Sequence, residues 1–92
     1  MRFIWDEAKR ESNLRKHGLD FGGAHRVFEG FVVQQPDARF HYDEHRHIAV
    51  GMLDALVVIV VHVEADETIR IISMRRATRN ETNFYYENIS TY

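Results

Sequence analysis

Leu56 to Val63 reads Leu-Val-Val-Ile-Val-Val-His-Val, and no other stretch limits the possible folds as strongly. Six of its eight residues are β-branched. Such side chains lose rotamer freedom in a helix and pack well on a pleated sheet. Successive strand side chains point to opposite faces, so a nearly unbroken apolar run has to be covered on both. The segment predicts a central strand with a layer of structure on each side of its sheet.

The flanking segments supply the other strands. Arg46 to Met52 alternates, with Ile48, Val50 and Met52 facing one way and His47, Ala49 and Gly51 the other. Ile69 to Arg75 reads as the last strand, and Phe31-Val32-Val33-Gln34 as an earlier one broken by Pro36-Asp37-Ala38. The turns at Leu53-Asp54 and Ala65-Asp66-Glu67 are too short for a crossover, so the strands should pair as an antiparallel meander.

Ahead of the strands, Phe3-Ile4-Trp5 reads as a short strand or extended lead-in. Asp6 can cap a helix reaching about His17, which Gly18 stops, with Lys9, Asn13 and Lys16 on one polar face. Asp20 can cap a second helix, with Phe21, Ala24, Val27 and Phe28 as its apolar stripe and Gly30 at its end. Thr78-Arg79-Asn80-Glu81 is a capping box that opens a last helix to about Asn88. The expected fold is one α+β domain over residues 1–92, an antiparallel meander of about four strands packed with two N-terminal helices and one C-terminal helix.

Composition narrows the function classes. There is no cysteine, which removes disulfides and thiolate zinc sites and fits a reducing cytoplasm. Met1-Arg2-Phe3-Ile4-Trp5-Asp6 turns charged at once, unlike a secretory signal, and the longest apolar run, Ala55 to Val61, is too short to span a bilayer. A soluble cytoplasmic protein with no membrane partner is expected. The net charge of −2 disfavours a general nucleic-acid surface. Yet Arg70, Arg75, Arg76 and Arg79 fall within ten residues, while acidic residues gather at Asp6-Glu7, Asp43-Glu44 and Glu64 to Glu67. Any phosphate site must be local to that arginine cluster. His41, His45 and His47, with Asp43 and Glu44, lack the helical spacing of a metal site; a solvated segment is expected there, with no metal or cofactor.

An ordered set of short stretches carries a family resemblance. It comprises Trp5-Asp6 with Lys9 and Asn13; Lys16-His17-Gly18 with Phe21, Ala24 and Phe28; Glu44 with Arg46 and Gly51; then Ile69-Arg70-Ile71-Ile72-Ser73-Met74-Arg75-Arg76-Ala77, followed by Glu81 and Tyr85. Over roughly Phe3 to Tyr86 the chain resembles the BrnT toxins. The resemblance implies a RelE-like fold and an endoribonuclease that cuts RNA without a metal and stops growth. It also implies a BrnA-type ribbon-helix-helix antitoxin, a toxin–antitoxin heterotetramer as one assembly, and DNA contact only through the antitoxin. Met74 stands where the family usually has alanine, and Glu64-Ala65-Asp66 where an arginine often follows the strand.

Such a reaction needs a base for the 2′-hydroxyl, cations for the pentacoordinate phosphate and an acid for the leaving 5′-oxygen. Arg75, at the exit of the last strand, is the favoured transition-state cation, because a guanidinium fork binds two oxygens and keeps its charge. Ser73 shares its side by parity; Arg70 and Arg76 fall on the other unless the strand bulges. Arg46, Arg70, Ser73 and Arg76 are the RNA-binding candidates, with ion pairing to the last helix the competing role for the arginines. Lys16 and His17 either serve phosphate and proton or offset the dipole at the helix end. Glu81 is a base or half of the capping box, and Tyr85 a proton donor or a packing residue. A catalytically weak module that binds an antitoxin and takes part in transcriptional autoregulation is the alternative function. A dimerisation domain built on the edge strand near Val32 to Gln34 is a third reading.

Overall fold

The computed structural model describes residues 1–39 and 44–90, so His41 and Asp43 lie outside the described residues. The elements are β1 (Arg2–Trp5), α1 (Glu7–His17), a 3-10 turn (Phe21–Gly23), α2 (Ala24–Glu29), β2 (Val33–Pro36), β3 (His47–Leu53), β4 (Leu56–Ala65), β5 (Thr68–Arg76) and α3 (Arg79–Ser90). The strands form a five-stranded sheet in the order β1-β5-β4-β3-β2. The expected meander is present as β2 to β5, all antiparallel. β1 adds a fifth strand, and the sheet is mixed because β1 lies parallel to β5, with Trp5 beside Ile71. The paired positions of these two strands are 66 residues apart, a separation that no local pattern announces.

Local chemistry explains the boundaries. Asp6 accepts a hydrogen bond from the Lys9 amide at 3.1 Å, and Gly18 ends α1 at φ 69°, a left-handed conformation that glycine adopts without strain. Asp20 accepts from the Gly22 amide at 2.8 Å. That cap opens a single 3-10 turn, so the second helical segment is shorter than its apolar stripe suggests. Asp54 and Asp66 both take φ 56° in the two tight hairpin turns, which aspartate tolerates better than most residues.

β4 is covered on both faces as its composition demands. Val58 and Val60 face a cluster built with Leu19, Phe21, Ala24 and Val27, whereas Val57 and Ile59 face a second cluster that contains Val50 and Tyr85 of α3. Val57 through His62 are all at most 7% exposed. Gly51 lets the first layer approach closely: a Cβ there would stand 2.8 Å from Cγ1 of both Val27 and Val32. Asn13, expected on the polar face of α1, is buried at 7% exposure. Its amide donates to the Met74 carbonyl at 2.9 Å and to the Leu19 carbonyl at 3.1 Å, and its oxygen accepts from the Met74 amide at 3.1 Å. It takes the place of a strand along β5 beyond the end of β1.

His62 is the polar residue of β4's apolar run and is fully buried. Its ring stacks on His47 of β3 at 5.7 Å, meets the edge of Phe28 of α2 at 5.0 Å, and brings Nε2 to 3.1 Å from Glu64. Burial lowers its pKa, and Glu64 only partly opposes that effect. The unfolded chain therefore takes up a proton near pH 6.5 that the folded chain refuses, and stability falls as pH drops below that value. The slope reaches at most about 1.4 kcal/mol per pH unit. Thermal melts between about pH 7.5 and 5.5 should show the midpoint falling, and His62→Leu should flatten the trend; a pH-independent midpoint in the parent chain would refute this.

Candidate active site

The two faces of the sheet are covered unequally, and that inequality makes the site. A helix is about 10 Å wide, whereas five strands at about 4.8 Å spacing span roughly 20 Å. The first face carries the 3-10 turn and α2, with Leu19 at the end of the α1 connection; among the described residues the second carries α3, with Phe31 packed beside it. Tyr85 fixes α3 there. It is 2% exposed, and its hydroxyl donates to the Phe31 carbonyl at 2.8 Å. Beyond the reach of α3, the second face stays open as a cavity of about 380 Å³.

Strand register supplies its floor. Gln35, Ile48, Val61 and Ser73 stand side by side across four strands, and Val33, Val50, Ile59 and Arg75 form the next row. Ile48, Val50, Ile59 and Val61 line the floor; Asn80, Glu81 and Phe84 of α3 form one wall; Gln35, Arg39, Ser73 and Arg75 complete the lining.

A bulge decides which arginines share this face. Val61 pairs with Ser73 but His62 pairs with Ile71, so Ile72 is an extra residue in β5. Parity is reset there. Ile69, Ile71 and Met74 enter one core, while Arg70, Ser73 and Arg75 line up with Val63, Val61 and Ile59 on the other face. Strict alternation had set Arg70 apart from Ser73 and Arg75; the bulge overturns that expectation. Arg76 is opposite Val58 and belongs to the first face, where its side chain is exposed and makes no hydrogen bond or ion pair among the described residues.

Arg75 and Glu81 are the charged centre. The guanidinium binds the carboxylate through both nitrogens, Nη1–Oε1 at 2.8 Å and Nη2–Oε2 at 2.9 Å. Glu81 also accepts from the Thr78 amide at 2.8 Å while the Thr78 hydroxyl accepts from the Glu81 amide at 3.2 Å, which is the capping box read from the sequence. The Arg75 fork, helped by the Thr78 amide, holds the Glu81 carboxyl down at about 2. In this state Glu81 is a very weak base, and it fixes the direction of the fork.

Arg39 is the second cation of the cavity, and its significance is not legible in the sequence. It lies near enough to Arg75 for mutual repulsion to oppose the rise in Arg75's pKa. Asp37 holds it in the same forked way at 2.8 and 2.9 Å, with the carboxylate fully buried and the guanidinium about half exposed. The signal available was only Asp37-Ala38-Arg39 directly after the strand-breaking Pro36.

The other candidates fall into two groups. Arg46 and Arg70 converge on Glu44, whose carboxyl is held below its usual range chiefly by Arg70. They belong to an ion cluster outside the cavity lining. Lys16 and His17 are exposed in the last turn of α1. No hydrogen bond or ion pair among the described residues joins them to Arg75 or Glu81, although Asn13 anchors their helix to Met74, next in the chain to Arg75. Tyr85 spends its hydroxyl inside the protein, and burial raises its pKa. Among the described residues no cluster of three metal-binding side chains occurs, and no helix is long and apolar enough to cross a membrane.

Comparison with known proteins gives two findings that agree. A family model described as the ribonuclease toxin BrnT of type II toxin-antitoxin systems matches residues 5–81. Among solved structures, the chain is similar to the Brucella abortus ribonuclease toxin BrnT, with 36% identity and a TM-score of 0.66, covering 86% of this chain and 99% of that one. No curated protein matches.

Proposed function

Because this chain belongs to the BrnT family of ribonuclease toxins of type II toxin-antitoxin systems, we propose that it is a metal-independent endoribonuclease whose phosphate-handling groups are Arg75 and Arg39. The observation that carries this reading is the pair of guanidiniums beside one open cavity, each held in place by a forked carboxylate contact. Two such cations can take the non-bridging oxygens of a phosphodiester and stabilise the extra charge of the pentacoordinate state.

In the reaction the 2′-oxygen of the substrate attacks phosphorus and the P–O5′ bond breaks, leaving a 2′,3′-cyclic phosphate and a 5′-hydroxyl. One proton leaves the 2′-hydroxyl and one is gained by the 5′-oxygen. A phosphate that takes the Arg75 fork releases Glu81 from it, and the Glu81 carboxyl then rises toward its ordinary range and becomes a usable base. His17 is the candidate for protonating the 5′-oxygen, with Lys16 beside it adding positive charge. Arg46 and Arg70 extend the phosphate track once Glu44 yields to RNA, and Ser73 offers a hydroxyl on the cavity wall. The toxin is neutralised by a BrnA-type ribbon-helix-helix antitoxin, which supplies the DNA contact of the complex.

Purified chain incubated with a defined RNA should produce 2′,3′-cyclic phosphate and 5′-hydroxyl ends at the same rate with and without a chelator. Intact RNA, together with tight binding of a BrnA-type antitoxin, would instead identify a binding module. Cleavage abolished by the chelator would refute the arginine mechanism.

A further inference from the structure

The cavity is built from more than phosphate chemistry, since a phosphate alone has no use for its floor of Ile48, Val50, Ile59 and Val61. A flat apolar ligand does. Phe84, on the α3 wall, keeps 42% of its surface exposed although it is a large aromatic residue. The side-chain amides of Gln35, on β2, and Asn80, on α3, both line the cavity and make no hydrogen bond among the described residues. Each offers a donor and an acceptor in one plane, the pattern that reads the edge of a nucleobase. The volume of about 380 Å³ falls at the small end of ligand pockets, room for one nucleoside beside the cations.

Resting on the ribonuclease reading, we infer that the cavity receives one unstacked nucleobase next to the scissile phosphate, stacked against Phe84 and read by Gln35 and Asn80. The phosphate attached to that nucleoside then meets Arg75 and Arg39 at the lining. A base in a duplex is stacked inside the helix and cannot enter, so the substrate is single-stranded RNA. Phe84 and the two amides set position and base preference, and the arginines serve the chemistry.

The inference separates from the ribonuclease reading in a cycle of two changes. The probes are an all-ribose single-stranded oligonucleotide, the same oligonucleotide abasic at the nucleoside flanking the cut, and a duplex of the same sequence, assayed with the parent chain, Phe84→Ala and Phe84→Tyr. Stacking lost to alanine is expected to raise KM for the intact strand about 5- to 100-fold. Phe84→Tyr should restore it, and the duplex should resist cutting. On the abasic strand Phe84→Ala should have little further effect, because the base it would stack is gone; a merely structural role for Phe84 would penalise both strands equally. Parent cleavage that ignores both the abasic change and Phe84→Ala would overturn the base pocket and leave the ribonuclease reading standing. No cleavage of any probe by the folded parent chain would overturn both.

Discussion

Arg75→Ala should lower the rate of RNA cleavage by about 100- to 1,000-fold, the usual cost of losing a directed donor to transition-state charge. Arg75 is the residue that lines the cavity from the sheet side and is held in a fork by Glu81. The fold should survive the change. Arg75 and Glu81 are both about one-third exposed, so the pair contributes about 1 kcal/mol or less to stability after solvent screening, and Glu81 keeps its bond to the Thr78 amide. Arg75→Lys retains the charge and loses the fork, and should fall between the parent and alanine variants. Expression in a bacterial host offers a parallel measurement: the parent chain should arrest growth and Arg75→Ala should not. Undiminished cleavage by a folded Arg75→Ala protein would remove Arg75 from the mechanism, and toxicity surviving the combined loss of Arg70, Arg75 and Arg76 would remove the arginine cluster.

Asn13→Ala should have the largest effect on stability among polar substitutions. Three hydrogen bonds tie this side chain to the main chain, two to Met74 and one to Leu19, all in a buried setting. Truncation leaves the Met74 amide and carbonyl without partners, and each buried unsatisfied group costs about 1–3 kcal/mol. A total loss of about 3 kcal/mol corresponds to a fall in Tm of roughly 12–24 °C for a domain of this size. Asn13→Asp should not rescue, because a carboxylate oxygen would face two carbonyl oxygens where the amide nitrogen now donates. Thermal denaturation followed by circular dichroism measures both variants, and a Tm within about 3 °C of the parent would refute the role assigned to Asn13. The effect reaches the site as well: the helix carrying Lys16 and His17 is anchored at Met74, so cleavage should fall even below the melting range.

Several features of the molecule were open to inspection in the chain itself. The Thr78/Glu81 capping box, the Asp6 cap and the Gly18 stop depend on residues within a few positions of one another, and all three are present. Helical periodicity puts Asn13 on a polar face, because it sorts residues onto faces but does not tell which polar side chain will meet a strand more than sixty residues away. Arg39 has little sequence signal for a similar reason: only the tertiary fold brings it to the cavity that Arg75 lines.

The division follows the range of the interactions. Local steric preference and the demand for burial on two faces determined β4 as a central strand, the short hairpins around it, and the helices that flank the sheet. The tertiary structure alone decided that β1 lies at the edge beside β5, that a cavity stays on the face that α3 covers, and that a bulge at Ile72 turns Arg70 to the face of Ser73 and Arg75. The bulge lets Ile71 and Met74, three positions apart, both enter the first core, an outcome that strict alternation along a single strand does not announce.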